Sequence, residues 1–159
     1  MEKELTDGTK GIPFVSYIKE FLDLPDTDIK TYSPLTLAFI GDSIFDLVIR
    51  TAVVENGNAP VNKLHKSVSK LVQATAQADL YFLIKDQLSE EEMTVFKRGR
   101  NAKSFTTAKN AGIVEYRTAT GLEALLGYLY LTDQTNRMME LIKQGLKPIL
   151  DSSSQDPRS

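Results

Sequence analysis

A chain of 159 residues with 42% hydrophobic and 25% charged side chains is long enough for one globular domain with a core. Mean hydropathy is −0.21 and no run approaches the ~18 apolar residues of a membrane span, so no membrane association is expected. Cysteine is absent, which excludes disulfide scaffolds, zinc knuckles, thiol nucleophiles and iron–sulfur centres and suits a reducing, cytoplasmic setting. The start, Met1-Glu2-Lys3-Glu4, carries no apolar segment behind it, so no secretory signal is read there.

In chain order, residues 1–12 are polar and expected to be flexible, and Ile12 to Leu24 reads as a short helix ending near Pro25. Residues 1–30 form an acidic N-terminal extension. Ser33-Pro34 opens the main domain, taken as 31–148, with an N-cap hydroxyl followed by proline at the first helical position. That helix is expected to reach about Asn56, with Gly57 as its stop. Pro60 precedes a helix carrying Leu64, Val68, Leu71 and Val72 on one face, and another runs from Ala74 to about Asp86. Ser89 and Glu92 form a capping box for a helix to about Gly99. Asn101 to Asn110 reads as a loop, Ile113 to Leu131 as a long helix, and Thr135 to about Leu146 as the last. Residues 149–159 are expected to be a disordered tail. No alternating strand pattern occurs. The fold class is all-α, a helical bundle.

Two helices carry a carboxylate where apolar residues dominate. Between Leu35 and Ile49 the polar side chains are Thr36, Asp42, Ser43 and Asp46, a composition expected of a helix buried on every face. From Thr118 to Leu131 the charge is Glu123. Gly41 beside Asp42 and Gly127 one turn after Glu123 would let the two backbones approach closely. Asp42 and Glu123 could then converge, and oxygen ligands without histidine or cysteine select a hard cation such as Mg²⁺. The plainer reading of either acid is a hydrogen-bonded structural carboxylate. Asp46 sits one turn from Asp42 and one turn from Arg50, so it serves either as an ion-pair partner or as outer support to a ligand.

Charge is unevenly distributed. From Met93 to Val114 there are Lys97, Arg98, Arg100, Lys103 and Lys109 and no acid. With Asn101 and Ser104 they make a set of donors suited to phosphate and ribose oxygens, against the plainer reading of a solvated helix end. Ile40-Gly41-Asp42-Ser43 superficially matches an esterase block, but that chemistry needs a late histidine and the single histidine is His65.

Leu37-Ala38-Phe39-Ile40-Gly41-Asp42-Ser43-Ile44 resembles the signature of ribonuclease III catalytic domains, and Leu122-Glu123-Ala124-Leu125-Leu126-Gly127 resembles their second acidic block. The blocks lie about eighty residues apart. Lys97 to Ser104 and Thr107 to Asn110 look like the basic loop of the mini-ribonuclease III group, which has a catalytic domain and no double-stranded-RNA-binding domain. The resemblance implies an all-helical bundle of that type, a homodimer, and a Mg²⁺-dependent endonuclease for double-stranded RNA. It also implies maturation of the 23S ribosomal RNA precursor in the cytoplasm. Asp42 and Glu123 take the positions of the catalytic, metal-binding acids. Full-length members carry acids where this chain has Ala38 and Thr120, so Thr120 becomes a supporting residue at most. A non-catalytic module binding double-stranded RNA is the alternative.

Overall fold

The computed structural model describes residues 13–102 and 112–154, with side chains of the last helix described to Lys147. Lys103, Ser104, Lys109 and residues 1–12 lie outside the described residues, as do 155–159 of the expected tail. Among the described residues there are seven α-helices and no strand: α1 (Phe14–Phe21), α2 (Pro34–Glu55), α3 (Val61–Val72), α4 (Ala74–Ile84), α5 (Glu90–Asn101), α6 (Ile113–Leu131) and α7 (Thr135–Ser154).

The helix starts follow local chemistry. Ser33 Oγ accepts from the Thr36 amide at 3.2 Å, and Pro34 occupies the first helical position where no amide is needed. At α5 both halves of the capping box form: Ser89 Oγ accepts from the Glu92 amide at 3.1 Å and Glu92 Oε1 from the Ser89 amide at 2.8 Å. The ends differ more from expectation. Helix α5 runs on through Arg100 and Asn101, past the end expected near Gly99. Helix α7 continues past Leu146 to Ser154, into what reads as tail.

The central pair is α2 and α6, which pack on each other more extensively than any other two elements. Phe45 and Ile49 of α2 meet Leu122, Leu125, Leu126 and Leu129 of α6 in the main core, closed by Met138, Leu141 and Ile142 of α7. Two glycines set the closeness of this crossing. A Cβ on Gly41 would collide with the Glu123 carbonyl, and one on Gly127 with the Leu37 carbonyl. Backbone therefore lies on backbone, a separation no larger residue permits.

Helix α1 stands apart. Val15 is buried and Ser16 Oγ donates to Asp133 Oδ2 at 3.3 Å, while Phe14, Tyr17, Phe21, Leu22 and Leu24 remain exposed.

Candidate active site

The Gly41–Glu123 crossing decides where the two acids go. Asp42 follows the residue in backbone contact with Glu123, so the two acids sit on adjoining backbone at the α2–α6 seam. Burial pushes the Glu123 carboxyl up to about 7, and the Asp42 charge adds to the rise.

The expected burial of Asp42 is not found. Asp42 is exposed, as are Leu35, Phe39 and Leu47 of the same helix, with Phe39 at 77%. Composition alone misled here, because a helix apolar all round reads as buried whether its outer face meets protein or solvent. Leu35, Phe39, Ser43 and Leu47 recur every four residues and form one exposed stripe beside the acids. Glu123, on the inner helix, is half-buried.

The residues of earlier interest separate clearly. Asp46 accepts from Arg50 Nε at 2.7 Å, the ion pair one turn apart that its spacing suggested. Thr120 Oγ1 donates to the Tyr116 carbonyl at 3.0 Å, a bond inside its own helix, so its hydroxyl proton is not offered to the acids. Ala38 is buried against Ala124. Among the described residues no cluster of three histidine, cysteine or acidic side chains forms. The two acidic blocks offer two carboxylates. Hard oxygens, one of them on a carboxyl whose proton affinity is raised by burial and then by the neighbouring Asp42 charge, fit a divalent cation that completes its shell with water or substrate.

Gln77 was invisible in the sequence. It is 4% exposed, its Nε2 donates to the Val72 carbonyl at 2.8 Å, and its Oε1 is buried with no partner. A glutamine inside a helix carries no motif, so only the packing of α4 on α6 reveals it.

Lys97 and Arg98 are exposed at the end of α5 and form no ion pair among the described residues. Arg100 is half-buried, its guanidinium 5.7 Å from the Phe96 ring centre and its Nε 3.3 Å from Asn101 Oδ1. Helix α3 adds Lys63, Lys66 and Lys70, all exposed, beside His65.

The ribonuclease III domain model matches residues 35–134, which spans both acidic blocks and the helices between them. The chain belongs to the ribonuclease III family. Mini-ribonuclease 3 of Clostridium tetani is 46% identical over 130 residues, covering 81% of this chain and 85% of that one. The Mini-ribonuclease 3 of Enterococcus faecalis is 44% identical, covering 80% and 98%. A crystal structure of a Fusobacterium nucleatum protein superposes with a TM-score of 0.69 at 34% identity, covering 77% of this chain and 99% of that chain. This ribonuclease III family member is an endoribonuclease, a phosphodiester hydrolase, and the resemblance in the acidic blocks is borne out across the domain. No helix among the described residues is long and apolar enough to cross a membrane.

Proposed function

We propose that the protein is a Mg²⁺-dependent endonuclease that cuts double-stranded RNA, with Asp42 and Glu123 as its catalytic, metal-holding acids. The observation that supports this is the backbone contact of Gly41 with Glu123, which brings the two acid-bearing segments together, with the Asp42 charge opposing ionisation of Glu123. A bound Mg²⁺ would supply Lewis acidity toward the scissile phosphodiester and lower the pKa of a nucleophilic water. Glu123 must surrender its proton to take a cation beside Asp42, so cation binding and activity are expected to weaken as the pH falls. Asp42, open to solvent, lies where a phosphate can approach.

Binding falls to the cations. Lys97, Arg98 and Arg100, with Asn101 and with Lys103, Ser104 and Lys109 of the following segment, are proposed to hold the phosphate backbone, helped by the α3 lysines. A-form RNA offers a wide, shallow minor groove, so recognition rests on shape. The exposed Leu35–Phe39–Leu47 stripe supports a homodimer, because a second copy can cover it with the same stripe about a twofold axis. Two sites would then face one duplex. Precursor 23S ribosomal RNA in the cytoplasm is the proposed physiological substrate, supported by the likeness to proteins named Mini-ribonuclease 3.

The decisive measurement is cleavage of a perfect RNA duplex by Asp42→Asn. Activity is expected to fall on the order of 10³-fold or more, with circular dichroism and RNA binding retained. Wild-type-like cutting by that variant would remove the reading, and a wild-type protein that shifts duplex without cutting it in Mg²⁺ would return the non-catalytic binding module.

A further inference from the structure

Two arginines are half-buried among the described residues, Arg100 and Arg137. Arg137 is saturated: its guanidinium donates to both Glu92 carboxylate oxygens and to the Gln87 carbonyl. Arg100 meets no carboxylate among the described residues. Its Nε donates to Asn101 Oδ1 at 3.3 Å, and neither Nη makes a hydrogen bond among those residues. A guanidinium drawn partly out of water without an anion keeps two terminal nitrogens suited to a pair of acceptor oxygens.

The protein nevertheless holds that group in one place. Arg100 Cζ lies 5.7 Å from the centre of the Phe96 ring, within the ~6 Å over which a ring face attracts a cation. Phe96 is fully buried and stacked on Tyr81, with ring centres 3.8 Å and planes 6° apart. It also presses on Gly121, where a Cβ would meet the ring at 2.7 Å. The Tyr81 hydroxyl donates to Met93 Sδ at 3.7 Å. Helices α4, α5 and α6 therefore build one aromatic platform under Arg100, whereas Lys97 and Arg98 on the same helix end stand exposed.

The platform adjoins the acidic seam. Gly99 packs on α6 at Thr120, Gly121 and Ala124, and Gly41 packs on it at Glu123 and Gly127. Two glycines thus seat α5 and α2 on overlapping turns of α6. The residue after each is charged, Arg100 in one case and Asp42 in the other.

We propose that Arg100 is the fixed phosphate anchor of this surface, its guanidinium held over Phe96 to take a backbone phosphate of the RNA. Phe96 is the positioning residue and acts only through Arg100. Prior placement lowers the ordering cost that the free side chains of Lys97 and Arg98 meet on binding. The inference rests on the reading of the α5 end as RNA-binding, and it sets one cation above its neighbours for a reason other than charge.

Arg100→Lys keeps the charge and loses the planar, forked group that stacks and meets two oxygens. Its affinity for duplex RNA is expected to fall about tenfold at fixed salt, close to that of Arg100→Ala. The slope of log affinity against log salt should match wild type in the lysine variant and drop by about one in the alanine variant. Lysine affinity within about twofold of wild type overturns the proposal, because charge alone would then suffice. Phe96→Leu leaves every charge in place, and is expected to raise KM for duplex RNA about fivefold with kcat within about twofold. A purely structural Phe96 would instead lower the melting temperature and leave KM of the folded fraction alone. Nitrogen-15 relaxation of the RNA-free wild-type protein covers the case in which Phe96→Leu does not fold. The Arg100 Nε order parameter is expected to lie well above that of Arg98, and equal values overturn the platform. Should wild type bind and cut duplex RNA while Arg100→Lys matches it, this inference fails and the parent reading stands. Should wild type bind no duplex RNA, the parent reading fails and takes the inference with it.

Discussion

Glu92 and Glu123 are both withdrawn from solvent, yet the protein treats them in opposite ways. Glu92 is 5% exposed and fully satisfied: Arg137 Nε donates to Oε2 at 2.8 Å, Arg137 Nη2 to Oε1 at 2.9 Å, and the Ser89 amide to Oε1 at 2.8 Å. Arg137 Nη2 also donates to the Gln87 carbonyl at 2.7 Å, tying α7 to the start of α5. The Arg137 hydrogen bond holds the Glu92 carboxyl below its usual range despite burial. Glu123 forms no ion pair among the described residues. Its burial is worsened by a second acid, and its carboxyl rises to about 7. The fold pairs one glutamate with an arginine and sets the other near a second acid. On the proposed function, that contrast separates a structural acid from a ligand-holding one.

Breaking the satisfied pair should cost stability and little else. Glu92→Gln is expected to destabilise the protein by about 2 kcal/mol, at the low end for a buried pair because Arg137 is partly exposed. The loss should appear in urea denaturation, with kcat of the folded protein near wild type. A dead but fully stable Glu92→Gln variant would contradict the division. The sign with pH follows: the Glu92 contribution is present above its unfolded value of about 4.5 and disappears as pH falls through the lower folded value.

Glu123 should respond in the opposite sense. Its folded value of about 7 exceeds the ordinary 4.5, so native protein binds the extra proton and the burial cost grows as pH rises through that window. In metal-free buffer, Glu123→Gln is expected to raise unfolding stability at pH 8 by about 1–2 kcal/mol, reduced for the residue's partial exposure, and to do little at pH 4.5. Equal effects at the two pH values would dissolve the comparison. Activity should be lost in the same variant.

The smallest effect is expected at the rim. Lys97→Ala with Arg98→Ala should leave kcat at saturation intact and reduce the slope of log affinity against log salt by about two, one for each phosphate contact removed. An unchanged slope would exclude both side chains from the RNA interface.

Much of the local architecture was legible before folding. Ser33-Pro34 and the Ser89/Glu92 capping box mark helix starts because their bonds close within one turn. Helix α6 is found from Ile113 to Leu131, as its apolar periodicity predicts. The ends of α5 and α7 were misread, since polar residues at a helix end look like loop until tertiary neighbours or helix propensity extend them. Asp42 and Glu123 were recognisable because glycines beside acids in apolar helices break two rules at once.

By itself, then, the order of residues determined the helices, the glycines that permit a backbone crossing and the two acids near it. Burial and partnership were decided only in three dimensions. Whether Phe39 meets solvent and whether Glu92 finds Arg137 forty-five residues away depend on contacts between distant segments. Hydrophobic periodicity tells a helix which side is apolar, but it cannot say what covers that side or which donor stands opposite a buried oxygen.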